Sequence, residues 1–108
     1  MLFLRELINS GKVGGYIGKG NKCLKKKEYE KAVNYYFSAL KYNKKNIGIE
    51  AILRQNIAYA YELLDNKEEA LKNARMSLEL YERLGESANI GIYKNQVIEL
   101  IARLEVVS

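Results

Sequence analysis

Few side chains in this sequence could take part in chemistry, since it has one cysteine, Cys23, and no histidine. Without histidine the commonest general base is missing, and so is a Ser/His/Asp triad. One cysteine alone builds neither an internal disulfide nor a usual zinc site, and we expect its thiol to be buried. The neighbouring carboxylates Glu68 and Glu69 begin a predicted helix, where the helix dipole favours negative charge. We therefore expect no catalysis, no metal and no cofactor.

The glycine-rich run GKVGGYIGKG, residues 11–20, has the composition of a phosphate-binding loop. A Walker loop requires Ser or Thr after its Gly-Lys pair, whereas Gly18-Lys19 is followed here by Gly20. No strand is predicted ahead of the run either. The run therefore predicts a glycine-weakened helix and no nucleotide site.

Apolar residues recur at helical spacing in five segments, which predicts an all-α fold. The segments are 13–26, 29–42, 48–64, 67–83 and 88–105, after a short leading helix or turn at 2–9. The absence of proline suits uninterrupted helices. Asn46 and Ser87 are placed as helix N-caps, and Gly85 is placed as the C-cap of the fourth helix.

A pattern of small and aromatic residues marks the first pair of helices. Gly20 is followed by Ala32, Tyr36 and Ala39. Glycine or alanine allows two helices to approach closely, and an aromatic side chain fills the space that remains. This spacing predicts an antiparallel helix hairpin.

A second copy of the pattern lies 38 residues further along. Ala70, Ala74 and Ser77 match the three positions of the second helix in the first copy, and the first helix contributes Ile57, Ala58 and Tyr61. Residues 89–92 (NIGI) then repeat residues 46–49, but no further helix follows. We interpret the last segment as a cap on the open face of a short stack.

The repeated pattern resembles the tetratricopeptide repeat. The resemblance implies one domain, a right-handed α-solenoid of antiparallel helix hairpins. Its parts would be a leading segment 1–12, repeats at 13–46 and 47–84, and a capping helix 85–108. It also implies an adaptor or scaffold, without catalysis, that binds a peptide or helix of another protein in a concave groove. The groove-facing, partner-binding residues would be Ile17, Asn21, Leu24, Lys25, Ile52, Gln55, Asn56, Tyr59 and Leu63.

The charge of the chain, +5 in total, is divided unevenly. Residues 1–54 carry 12 basic and 4 acidic side chains, and residues 55–108 carry 6 and 9. This division favours an acidic protein partner or head-to-tail contact between copies, that is, a homo-oligomer. The alternative function is binding of nucleic acid or another polyanion by the basic half. That alternative is the weaker one, because the pattern places Tyr16, Tyr29, Tyr36 and Tyr61 in the core.

The first residues, MLFLRELI, are apolar but too short to span a membrane. Arg5 and Glu6 also interrupt any signal-peptide core. We expect a cytoplasmic protein with no membrane contact. Phe3, Leu4, Leu7 and Ile8 share one helical face, which packs either on its own first repeat or on a second copy.

Overall fold

The computed structural model describes residues 11–86 and 88–106, and these ranges contain five α-helices and no strand. The helices are α1 (Gly11–Lys25), α2 (Tyr29–Tyr42), α3 (Ile47–Leu63), α4 (Lys67–Leu84) and α5 (Ala88–Leu104). The predicted all-α class is confirmed, with helix ends within about two residues of those predicted. The leading segment 2–9, its apolar face and the Ser87 cap lie outside the described residues.

Polar caps fix the ends of two helices. Asn46 Oδ1 accepts a hydrogen bond from the Ile49 backbone N–H at 2.9 Å, so Asn46 is the N-cap of α3 as predicted. Asn66 caps α4 in the same way, through the Glu69 N–H at 3.2 Å. Gly85 ends α4 with a φ of 84°, a conformation that glycine adopts at little cost. The predicted C-cap is therefore confirmed.

The two hairpin turns have the same hydrogen bonds, displaced by 38 residues. After α1, Lys27 takes a φ of 62°, and the Glu28 N–H donates to the Cys23 carbonyl at 2.8 Å. After α3, Asp65 takes a φ of 60°, and the Asn66 N–H donates to the Tyr61 carbonyl at 2.9 Å. Both turns are Schellman motifs in which lysine or aspartate stands where glycine is usual. That substitution hid the motif from sequence reasoning.

Each helix packs mainly on the helix before and the helix after it, with a smaller contact between α3 and α5. Small side chains mediate the close approaches, and Ala32, Ala39, Ala70 and Ala74 are fully buried. Ser77 is also buried, and its Oγ donates to the Ala51 carbonyl at 2.7 Å. These small residues therefore lie at the helix contacts for which the repeated pattern placed them.

Larger side chains complete the core between the small ones. Tyr36 is fully buried, and the Cys23 thiol is free and buried, as the sequence predicted. Tyr16, Tyr29 and Tyr61, in contrast, are only half-buried. None of the helices in the described ranges has the length and apolar character needed to cross a membrane.

Candidate partner-binding groove

A shallow open groove runs between α3 and α5, with a volume of about 290 Å³. We call it the α3/α5 groove. Its lining residues are Gln55, Asn56 and Tyr59 from α3, and Gln96, Glu99, Leu100 and Arg103 from α5. Leu100 is buried beneath it and provides an apolar floor, whereas the Tyr59 side chain is 46% exposed. The groove thus combines an apolar base with polar walls, which is the usual chemistry of a peptide-binding surface.

Gln55 is held in place by two side chains of the protein itself. The buried Tyr81 hydroxyl donates to Gln55 Oε1 at 2.6 Å, and Gln55 Nε2 donates to Gln96 Oε1 at 3.0 Å. Burial raises the pKa of Tyr81 above its usual value, so the hydroxyl keeps its proton and remains a donor. Since both ends of the amide are engaged, Gln55 shapes the wall of the groove.

Asn56 supplies the groove with a carboxamide that is available for binding. It is half-buried, and its side chain forms no hydrogen bond with the other described residues. A carboxamide offers one acceptor oxygen and two donor hydrogens, which match the N–H and C=O of an extended peptide backbone. Together with the exposed ring of Tyr59 one turn further along α3, it forms a mixed polar and aromatic contact surface.

An ion pair joins the two helices at the end of the groove. Arg103 donates to both carboxylate oxygens of Glu62, from Nε at 3.1 Å and from Nη2 at 3.0 Å. This hydrogen bonding raises the pKa of Arg103, because the charged guanidinium is the form that the carboxylate stabilises. Within the described residues Glu99 has no ion-pair partner. With Arg103 neutralised by Glu62, the local charge of the groove is negative.

Two of the predicted partner-binding residues belong to the core. Ile17 is 0% exposed and Ile52 is 2% exposed, so neither side chain reaches a surface. Placing them in the groove was therefore wrong, because the buried face of each helix is wider than one stripe of residues. Asn21 is half-buried, and its Oδ1 accepts a hydrogen bond from the Tyr36 hydroxyl at 2.5 Å.

The other predicted residues lie apart from the α3/α5 groove. Leu24 packs partly against the core, Lys25 is exposed at the end of α1, and the Leu63 side chain is exposed on α3. The structure thus brings together three of the predicted residues: Gln55, Asn56 and Tyr59. Partner binding by these three residues, and by Asn21, Leu24, Lys25 and Leu63, stays a prediction.

Sequence reasoning missed the α5 wall of the groove, because α5 was interpreted only as a cap. A signal was present in the sequence, since Gln96, Glu99 and Arg103 are polar residues at helical spacing. In the described ranges, no cluster of three or more cysteine or acidic side chains could hold a metal ion.

Comparison with known proteins adds no relative. No protein-family model matches the chain, and neither a curated protein nor a solved structure matches it at a significant level. The class of protein therefore rests on the residues and contacts of this chain.

Proposed function

We propose that the chain is a tetratricopeptide-like adaptor that binds a segment of another protein in the α3/α5 groove. It would act without catalysis, with two helix hairpins as the framework and α5 as both the cap and the second wall of the groove.

The correspondence between the two hairpins supports the repeat interpretation. The turns after α1 and α3 share one hydrogen-bond pattern at an offset of 38 residues. The buried Ala32 and Ala39 of α2 have small buried counterparts in α4, Ala70 and Ser77, at the same offset. Contacts mainly between neighbouring helices are also typical of stacked repeats, in which each unit touches only the next. These three observations agree with a short solenoid.

The juxtaposition of Asn56 and Tyr59 over Leu100 is the observation that carries the binding proposal. The Asn56 carboxamide would pair with the backbone of an extended segment. An apolar side chain of that segment would lie on Tyr59 and Leu100. Because Glu99 has no ion-pair partner in the described residues, a lysine or arginine in the bound segment would be favoured beside it. A preference for acidic side chains in the partner would apply only near Lys25, on α1.

A groove of this size predicts modest affinity. Little surface is buried by a segment that fits about 290 Å³, and much of the lining is polar. The small area of contact must also offset the translational and rotational entropy that both molecules lose on binding. A weak and reversible interaction is therefore expected.

Site-specific photocrosslinking from Tyr59 tests the proposal. A photoreactive phenylalanine analogue replaces Tyr59 on α3, and a matched variant carries it at Phe37 on α2, which is 37% exposed. Crosslinking in extract of the source cells should give a defined adduct from position 59 and none of the same mass from position 37. Mass spectrometry of the adduct then identifies the bound segment, which is synthesised for titration.

The titration compares Asn56→Ala with Asn34→Ala, an exposed asparagine on α2. Loss of one net hydrogen bond predicts an affinity roughly 2- to 12-fold lower for Asn56→Ala and no change for Asn34→Ala. If both variants bind the segment like the unchanged protein, or if positions 59 and 37 give the same adduct, the groove is not the binding site.

A further inference from the structure

A second surface, on α1 and α2, combines stacked tyrosines with lysines. Tyr16 lies against Tyr42, with ring centroids 5.8 Å apart and planes at 12°, and against Tyr35 at 6.3 Å. Lys12 Nζ lies 4.9 Å from the centre of the Tyr42 ring. Lys19 Nζ lies 5.6 Å and 5.8 Å from the centres of Tyr16 and Tyr35. We call these five residues the tyrosine–lysine surface.

The three tyrosines lie at the surface, in contrast to the buried ones. Tyr42 is 39% exposed, and Tyr16 and Tyr35 are half-buried. The hydroxyls of Tyr36 and Tyr81 each donate to a side-chain amide. Those of the three surface tyrosines form no hydrogen bond with the described residues. Within the described residues, these rings and hydroxyls are therefore left partly accessible to a ligand.

The α1 side of the tyrosine–lysine surface is basic. Residues 11–27 contain six lysines and no acidic residue. Within the described residues neither Lys12 nor Lys19 pairs with a carboxylate, whereas Lys31, further along, is bound by Glu28 at 3.0 Å. Two ammonium groups thus remain available to an anion, beside rings that offer flat apolar area.

We propose that the tyrosine–lysine surface binds single-stranded nucleic acid. A nucleotide combines a flat base, which stacks on tyrosine, with a phosphate, which lysine neutralises. A carboxylate-rich protein would gain only from the lysines, since the face of an aromatic ring carries partial negative charge and repels anions. Of the anionic macromolecules, a single strand is the one that uses both components.

The strengths of the two contacts favour displacement, by a base, of a lysine that lies on a tyrosine ring. An exposed cation–π contact is worth about 2- to 5-fold in an equilibrium constant. Stacking of a base on an aromatic side chain is worth about 5- to 160-fold. A base therefore displaces Lys12 from the Tyr42 ring, and the released ammonium stays within reach of the adjoining phosphate.

The length of the surface and its use of base faces favour a short single strand over a duplex. Lys12, Tyr16 and Lys19 follow each other at positions i, i+4 and i+7 of α1, a length of about 10 Å. Bases in a duplex are stacked on each other and hide their faces, whereas unpaired bases expose them. Since stacking reads no base edge, little sequence preference is expected.

Fluorescence anisotropy with a labelled short oligouridylate tests the proposal on the intact chain. Tyr42→Leu should weaken binding about 5- to 160-fold, because the base has no ring on which to stack. Tyr42→Phe, which keeps the ring, should bind within about twofold of the unchanged protein. Tyr59→Leu is the matched control in the α3/α5 groove, and it should bind oligouridylate normally.

The salt dependence of the affinity tests the lysines. Lys12→Gln/Lys19→Gln should reduce the slope of log affinity against log salt by about 1.4, or about 0.7 for each phosphate that a lysine no longer neutralises. Lys67→Gln/Lys72→Gln, two exposed lysines on α4, removes the same charge and should leave the slope unchanged. This readout also applies if Tyr42→Leu fails to fold, as judged by circular dichroism.

Several results would overturn the proposal. They are the absence of saturable binding to oligouridylate, equal affinity for a duplex of the same length, and unchanged affinity in folded Tyr42→Leu. Displacement of the oligouridylate by polyglutamate at equal charge concentration would identify a surface that recognises charge alone. Because Tyr59→Leu affects the groove and Tyr42→Leu does not, failure here is distinguishable from failure of the adaptor function.

Discussion

The ring of Tyr36 on α2 occupies the space that a side chain at Gly20 on α1 would need. A Cβ atom at Gly20 would lie 2.6 Å from Tyr36 Cε1 and 2.8 Å from Cδ1, closer than carbon atoms approach without movement. The corresponding residues of the second hairpin, 38 positions later, are Ala58 and Ala74, both fully buried. The position that pairs the smallest residue with a large one in the first hairpin thus corresponds to two buried alanines in the second.

Gly20→Ala should destabilise the protein by about 1–3 kcal/mol, because the added methyl group overlaps the buried Tyr36 ring. The matched control is Gly15→Ala on the same helix, where an added Cβ meets no atom within 4 Å. There, the higher helix propensity of alanine should stabilise by about 0.5–1 kcal/mol. Urea unfolding of both variants measures the two effects. A Gly20→Ala protein as stable as Gly15→Ala would contradict the contact.

Gln55→Ala should reduce stability by about 1–3 kcal/mol, although Gln55 lies at the groove. Its removal leaves the buried Tyr81 hydroxyl without its acceptor at 2.6 Å. Asn56→Ala, at the next position, should change stability by less than about 0.5 kcal/mol, as is usual for a side chain without such a contact. Thermal unfolding followed by circular dichroism compares the two, and equal losses would show that Gln55 has no special structural role.

The stability of the fold should fall as the pH rises above about 10, the ordinary pKa of tyrosine. Burial raises the pKa of Tyr36 and of Tyr81 in the folded protein. The folded state therefore keeps protons that the unfolded state releases. The contribution of these two tyrosines to stability is complete below the pKa of tyrosine in the unfolded state. It is lost as the pH rises toward the pKa of tyrosine in the folded state.

The free energy of unfolding should decrease by about 1.4 kcal/mol per pH unit for each of the two tyrosines. Urea unfolding at a series of pH values from neutral to strongly alkaline measures it. Tyr36→Phe removes one buried ionisable group and should make the decline less steep. An identical decline in the variant and the unchanged protein would refute the assignment.

Arg103→Ala should cost no more than about 1 kcal/mol of stability, despite the paired hydrogen bonds to Glu62. The Arg103 side chain is 54% exposed, and water screens an ion pair at such a site. The loss should shrink further at high salt. Chemical denaturation at two salt concentrations checks this. A loss above about 2 kcal/mol would show that the pair holds α5 against α3 more firmly than its exposure suggests.

Much of the secondary structure was predictable because it depends on local interactions. Asn46 caps α3 through its own side chain, and Gly85 ends α4 through its backbone conformation; both were visible as residue types at the right places. The places of the two hairpin turns were predicted, but their Schellman geometry at Lys27 and Asp65 was not, since neither residue is the glycine that usually marks it.

The sequence by itself determined five helices, their approximate ends, and the small residues at which they touch, because periodicity and side-chain volume act between close neighbours in the chain. Only the tertiary structure decided which way each helix faces. One residue along a helix turns the side chain by about 100°. Small differences in helix orientation therefore place Ile17 and Ile52 in the core and leave Asn56 and Tyr59 in the α3/α5 groove. The α5 side of the groove, with Leu100 in the floor and Arg103 in the wall, exists only because α5 packs beside α3.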